Sequence, residues 1–143
     1  METNHQRVGS KTNPELGREF RDRVQAHYAQ HGVVLVPNFE AFVGNMSRAF
    51  SLGCGSPPLI VQCKSFTWTS GKIGAAKMKT LDELMLKFGL CSPKYTRVLF
   101  MERQMKGDVS IASEYVRLRR KSIPSGVQVW EFDGENQQAK QIL

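Results

Sequence analysis

The chain has no long apolar run and few cysteines. No stretch of its 143 residues approaches the roughly 18 consecutive apolar residues that suggest a membrane-spanning helix. The three cysteines, Cys54, Cys63 and Cys91, show neither metal-ligand spacing nor the even number of a disulfide framework. We therefore expect a protein without membrane contact, with reduced thiols and a cytoplasmic location.

Acidic residues are also few. Asp and Glu total 13 against 20 Lys and Arg, which gives a formal net charge of +7 and a pI of about 9.6. An excess of cationic side chains favours polyanions, because binding releases the counterions condensed on them. The charge alone does not identify a ligand, since it also serves solubility.

The polar segment from Met1 to Lys11 lacks the apolar centre of a signal peptide, so residues 1–12 are predicted to be a flexible tail. Residues 13–133 are predicted to form one domain, and residues 134–143 a polar C-terminal tail. Within the domain, apolar periodicity predicts an α/β protein with the element order α-β-β-β-α-β-α-β.

Local signals place these elements. Asn13 and Pro14 begin a helix that Gly32 ends. Residues 33–36 form a strand that Pro37 stops, residues 39–43 either continue it or form a second strand, and residues 48–52 form a hairpin partner. Later elements are a central strand at 59–64, a helix with a capping box from Thr80 to Glu83, a strand at 96–102, a helix that Ser110 caps and that ends near 121, and a last strand at 127–132. A strand, a helix and a strand in this order predict a parallel crossover.

The central strand ends on polar residues. Alternation puts Leu59, Val61 and Cys63 on one face, and Ile60, Gln62 and Lys64 on the other. Burying an amine costs on the order of several kcal/mol unless it is paired or reaches water. Lys64 is therefore either a strand-end lysine that reaches solvent or a functional group.

The stretch Gln-Cys-Lys-Ser-x-Thr-Trp-Thr at 62–69 resembles the core motif of a bacterial branch of the PD-(D/E)XK, or restriction-endonuclease-like, nuclease superfamily. Further segments share the resemblance, which spans roughly residues 40–133: Arg48 to Gly53, Ala76 to Met78, Ala112 to Arg117 and Ile123 to Val127. It implies a mixed β-sheet flanked by helices. Where that branch has a metal-binding aspartate and glutamate, this chain has Ser51 and Gln62.

The resemblance also places Lys64 at the lysine position of the site. Carboxylates hold Mg²⁺ in such enzymes, and the metal polarises the phosphate and helps to generate a nucleophile. Ser51 and Gln62 bring no negative charge. Each lost charge pair is worth about 4 kcal/mol at an effective dielectric near 20, so we expect no metal or weakly bound Mg²⁺ or Mn²⁺.

Other side chains could compensate. Glu83, Glu40 and Glu19 are candidate replacement carboxylates, although each also has a structural interpretation: a helix cap, an exposed strand position and a surface residue of the first helix. Lys72, Lys77 and Lys79 follow the motif and, with Lys64, form a predicted phosphate-binding rim. Trp68 is either a core residue or part of the site.

Three functions stay open. The first is a nucleic-acid-binding, nuclease-like protein with a degraded metal site, weak or inactive in catalysis, with DNA as its partner. The second is an active Mg²⁺-dependent endodeoxyribonuclease with relocated carboxylates. The third is a protein-interaction domain in which the cleft is vestigial and the charge aids solubility. A homodimer is a further prediction.

Overall fold

A computed structural model of the chain describes residues 13–143. Its longer elements, in chain order, are α1 (Asn13–Gln30), β1 (Val36–Val43), β2 (Met46–Gly55), β3 (Pro58–Lys64), α2 (Ala75–Leu90) and β4 (Thr96–Glu102). They continue with the short strands β5 (Met105–Lys106) and β6 (Val109–Ser110), then α3 (Ile111–Arg119), a 3₁₀ turn (Arg120–Ser122), β7 (Val127–Asp133) and β8 (Gln138–Gln141). The predicted tail at 1–12 lies outside the described residues.

Six strands form one mixed sheet in the order β1-β2-β3-β4-β7-β8. The first three pair antiparallel, β3, β4 and β7 run parallel, and β8 returns antiparallel to β7. One core lies between the sheet and α2 with α3, and the other lies between the sheet and α1. Within residues 13–143, no helix has both the length and the apolar character to cross a membrane.

Much of the predicted α/β order is confirmed. The parallel pairing of β3 with β4 is present, and the strand predicted at 96–102 has those bounds. Leu59 and Val61 belong to the α1-side core and Ile60 to the opposite core, as the alternation predicts. Ser110 caps α3, its hydroxyl accepting a hydrogen bond from the backbone N–H of Ser113 at 3.1 Å.

Two local predictions were wrong. The strand expected to stop at Pro37 instead begins at Val36 and runs through the proline. This is tolerated because β1 lies at the edge of the sheet, where a missing N–H costs no ladder bond. The predicted capping box is absent: α2 begins at Ala75, so Thr80 lies inside the helix and its hydroxyl donates to the carbonyl of Ala76.

The C-terminal segment also differs from its prediction as a tail. Residues 138–141 form β8, and the backbone of the last residue, Leu143, exchanges hydrogen bonds with Val129 of β7. Ile142 and Leu143 pack against the α2-side core. The sequence of β8 is polar because β8 is an edge strand. Most of its surface is exposed, so it needs few apolar residues.

Strand β2 changes face in its middle, and this positions the candidate site. Phe50 packs into the α2-side core, whereas Leu52, two residues later, packs into the α1-side core. Regular alternation would put both on one face. The reversal is centred on Ser51 and on its neighbour Asn38 in β1, whose φ of 55° is left-handed.

Candidate functional site

At Ser51, where the buried face of β2 reverses, side chains replace the backbone hydrogen bonds that would normally pair β2 with β3. The carbonyl oxygen Oε1 of Gln62 accepts from the backbone N–H of Ser51 at 2.9 Å. The hydroxyl Oγ of Ser51 accepts from the backbone N–H of Cys63 at 3.0 Å. Ser51 and Gln62 therefore join β2 to β3 through their side chains, an arrangement that we call the clasp, and this fixes both side-chain orientations.

A cavity of about 310 Å³ opens beside this clasp. Its described lining residues come from α1, β1, β2 and β3: Pro14, Gly17, Arg18, Arg21, Asn38, Ala49, Phe50, Ser51, Gln62 and Cys63. We call it the Arg18–Arg21 pocket. It brings Ser51 and Gln62 together. The two arginines were not predicted, because they lie off the apolar stripe of α1, on a face that is usually solvated. Their spacing of one helical turn was the available signal.

The pocket combines cationic and neutral polar groups. Two guanidinium groups, an asparagine, a serine and a glutamine line it, and none of its described lining residues carries a carboxylate. Arg21 is mostly buried and pairs with the exposed Asp22 at 3.2 Å, an adjacent-residue pair of little energetic weight. The first turns of α1 add the positive end of a helix dipole.

These residues do not fit a divalent cation. The Oγ of Ser51 and the Oε1 of Gln62 each already accept a backbone hydrogen bond, and neither carries charge. Mg²⁺ and Mn²⁺ select oxygen donors that include carboxylates. The same groups suit a phosphate, since guanidinium forks match phosphate oxygens and the remaining amide N–H₂ of Gln62 can donate.

Lys64 is not among the lining residues of the Arg18–Arg21 pocket. Its ammonium lies 5.8 Å from the ring centroid of Phe66. Burial, followed by repulsion from Lys87 of α2, lowers the pKa of Lys64 below its usual value. The predicted trio of positions 51, 62 and 64 is thus divided: two share the pocket, and the third faces α2.

We expect the Lys64 amine to titrate below 10.5, the ordinary pKa of lysine. Because folding lowers this pKa, the charged form disfavours the folded state, and that cost disappears as pH rises through the folded-state value. NMR titration of ¹³C-labelled lysine, assigned with Lys64→Arg, measures it. Lys87→Gln should raise the pKa of Lys64, and a midpoint unchanged by that substitution would contradict the contact.

The candidate replacement carboxylates do not line the pocket. Glu83 is exposed on α2, and Glu19 lies on α1 outside the lining residues. Glu40 pairs across strands with Ala49, at the margin of the pocket, and its carboxylate accepts from Ser47 at 2.8 Å. Among the described residues, no group of three or more His, Cys, Asp and Glu side chains is placed to hold a metal.

The Thr-Trp-Thr part of the motif organises the loop between β3 and α2. The ammonium of Lys77 donates to the carbonyl of Thr67 at 2.6 Å and to the hydroxyl of Thr69 at 3.0 Å. Trp68 donates from Nε1 to the carbonyl of Gln104 at 2.9 Å and packs against the α2-side core. Lys77, predicted on the phosphate-binding rim, therefore uses its ammonium inside the protein.

A second lysine fastens the same loop from outside. Lys106 of β5 donates to the carbonyl of Gly71 at 2.6 Å, with its ammonium 4.7 Å from the ring centroid of Trp68. The tip itself is a tight turn in which Thr69 and Lys72 bond each other's backbones. Lys72 at the tip and Lys79 on α2 are exposed, so both remain candidates for phosphate contacts.

A comparison of the chain with protein-family models, with curated proteins and with solved structures gives no match in any of the three. The resemblance of residues 40–133 to the PD-(D/E)XK superfamily therefore stays a prediction from the motif at 62–69.

Proposed function

We propose that the chain binds nucleic acid, DNA in particular, through the Arg18–Arg21 pocket, and that it is a restriction-endonuclease-like protein whose metal site has become a phosphate site. The observation that supports this most is the lining of the pocket, in which Arg18 and Arg21 occur together with Ser51 and Gln62, the two residues of the clasp. In this proposal the arginines neutralise a phosphate directly and supply the positive charge that a metal would supply in an active nuclease. Catalysis is weak or absent.

The orientation of Gln62 adds to the proposal. The N–H of Ser51 needs an acceptor, so the carbonyl oxygen of Gln62 turns towards it and the amide N–H₂ turns away. A glutamate in that place would offer a second acceptor instead and would repel a phosphate. The glutamine thus converts a cation-binding position into a donor for an anion.

Fluorescence anisotropy with labelled single-stranded and duplex DNA tests the proposal. Arg18→Gln with Arg21→Gln should lower affinity at least about tenfold near 100 mM salt. It should also reduce the slope of log K against log salt by about 1.5, since each phosphate contact contributes roughly 0.7–0.9. The matched control is Arg120→Gln with Lys121→Gln, which removes the same charge from the exposed 3₁₀ turn. It should change affinity less than threefold.

Each other outcome counts against a defined part of the proposal. Equal losses in both double variants would show that net charge, not the pocket, binds DNA. No binding at 50 mM salt would favour the protein-interaction domain. Cleavage of plasmid DNA in Mg²⁺ or Mn²⁺, abolished by Lys64→Ala, would establish the active nuclease instead.

A further inference from the structure

An apolar groove of about 490 Å³ lies where α2 meets the end of α3 and the segment that follows it. Five of its described lining residues belong to α2, between Asp82 and Leu90, and the others are Arg119, Ser122 and Pro124. Since Asp82 and Leu90 are eight residues apart on one helix, the groove extends for about 12 Å along α2. We call it the α2–α3 groove.

Two leucines at this groove are exposed. Leu86 and Leu90 lie one helical turn apart on α2 and are 71% and 63% exposed, whereas Met85 beside them is buried in the α2-side core. Pockets for small molecules usually enclose most of the ligand, and a small ligand here would leave both leucines largely in water. A helix, which is about 10 Å wide with its side chains, is broad enough to cover them. The exposure therefore favours a helix of another macromolecule.

The absence of a side chain at Gly89 adds room to the groove. A Cβ at this position would lie 3.5 Å from Cγ of Pro124, an ordinary van der Waals contact. Gly89 is also not among the glycines with a positive φ. Neither the available space nor the backbone conformation thus requires a glycine here. A glycine does allow a partner to approach the helix backbone closely.

A cationic cavity of about 590 Å³ adjoins the groove and shares Arg119 and Ser122 with it. Its cationic lining residues are Arg117, Arg119, Arg120 and Lys121. Arg119 pairs with Asp82 at 3.1 Å, and Arg117 pairs with a glutamate of its own helix at 2.9 Å. Within residues 13–143, Arg120 and Lys121 have no ion-pair partner. Two charges beside the apolar groove are therefore available to carboxylates of a partner.

This combination of apolar and cationic surface distinguishes between partners. DNA would satisfy the cations, but its phosphates and sugars would leave Leu86 and Leu90 without an apolar contact. A second copy of the chain is disfavoured because each copy carries a net charge of +7. A helix with one apolar face and acidic residues beside that face meets both requirements.

We propose that the α2–α3 groove binds an acidic amphipathic helix of a partner protein. Apolar residues of that helix, spaced i, i+3 or i+4, and i+7, cover Leu86 and Leu90 and fill the space at Gly89. Its Asp or Glu side chains pair with Arg120 and Lys121. The site is independent of the proposed DNA pocket, since α1 packs on the opposite face of the sheet from α2 and α3.

Selection from a display library on the immobilised full chain tests the proposal without a known partner. Random peptides of about 16 residues are long enough, as helices, to span the groove twice. The enriched peptides should have apolar residues at helical spacing and a net charge of about −3 or lower. A synthetic, fluorescein-labelled copy of the most enriched peptide then serves as the probe in anisotropy measurements.

Variants of the groove should lose this probe. Leu86→Lys and Gly89→Leu should each weaken its binding at least about 30-fold, the effect of losing an interface anchor. Arg120→Gln with Arg119 kept and Lys121→Gln added should weaken it at least about tenfold. The matched control for the leucine is Val34→Lys, which changes a residue 78% exposed between α1 and β1. It should leave the affinity within about threefold.

The two charge-removing double variants separate this proposal from the DNA site. Arg18→Gln with Arg21→Gln should lower DNA affinity and leave peptide affinity within about threefold, and Arg120→Gln with Lys121→Gln should do the reverse. Failure of one site thus leaves the result at the other unchanged. Peptide binding that is lost in the Arg18 and Arg21 variant would assign the peptide to the DNA pocket and overturn the proposal.

Hydrogen exchange locates the bound peptide and does not depend on any variant. Amides in residues 82–90 and 119–124 should gain protection when the peptide is added. Protection confined to other residues overturns the proposal, as does unchanged binding by Leu86→Lys. A library that yields no enriched peptide, or only peptides without acidic residues, overturns it as well.

Discussion

Changing Ser51→Asp and Gln62→Glu together is expected to create a Mn²⁺ site, with affinity at least 100-fold above that of the wild type. Both side chains line one pocket and are held by each other's strand. Carboxylates there can keep the same hydrogen bonds and add two negative charges. A charge pair at contact distance is worth about 4 kcal/mol at an effective dielectric near 20, and repulsion from Arg18 and Arg21 cancels part of this gain.

Isothermal titration calorimetry with MnCl₂ measures the effect. Ser92→Asp with Gln138→Glu makes the same charge change at two exposed positions and should bind no tighter than the wild type. Without metal, the double variant at 51 and 62 should also lose at least tenfold in DNA affinity, because its carboxylates repel phosphate. A folded double variant that gives no heat with Mn²⁺ would refute the assignment of these two positions as a former metal site.

Gly53→Ala is expected to lower the free energy of unfolding by about 2–3 kcal/mol, a large loss for one methyl group. A Cβ at position 53 would lie 2.4 and 2.7 Å from ring atoms of Phe39 and 2.9 Å from the carbonyl oxygen of Leu59. The ring is partly buried against the α2-side core, so moving it disturbs that packing, and the backbone carbonyl can hardly move. Urea unfolding followed by circular dichroism measures the loss.

Two further variants separate the clash from a general effect of glycine replacement. Gly55→Ala lies two residues along the same strand with nothing within 4 Å of the added Cβ, so it should change stability by less than about 0.5 kcal/mol. In a Phe39→Ala background, Gly53→Ala should cost at least about 1 kcal/mol less than in the wild type, since the ring is gone, only the contact with the carbonyl of Leu59 remains, and the two positions are coupled. Equal costs in both backgrounds would show that the ring is not the obstacle.

Local periodicity was sufficient for the elements that bury one regular face. The parallel strands β3 and β4 and the helix α3 follow from apolar runs and from a serine cap, because their burial repeats with the period of the element. The predictions that failed concern the edge strands of the sheet and the first residue of a helix. Pro37 is acceptable because β1 is an edge strand, β8 is polar for the same reason, and α2 begins five residues before Thr80.

The candidate site was harder to predict from the sequence than the fold. Ser51, Gln62 and Lys64 were selected by resemblance, and the structure brings the first two into one pocket and turns Lys64 towards α2. The reversal of β2 at Ser51 depends on contacts with β1 that no local pattern encodes. Arg18 and Arg21 lie on the polar face of their helix, where a ligand-binding arginine and a solvated one have the same spacing.

The loop that follows β3 has a consequence for how any ligand reaches Lys64. Lys77 and Trp68 hold its middle at residues 67 and 68, and Lys106 holds its tip at Gly71. A segment fastened in this way is a fixed wall rather than a moving flap, so approach is through an opening that already exists. Association at this end of the sheet should then carry a small ordering entropy, which leaves more of the contact energy for affinity.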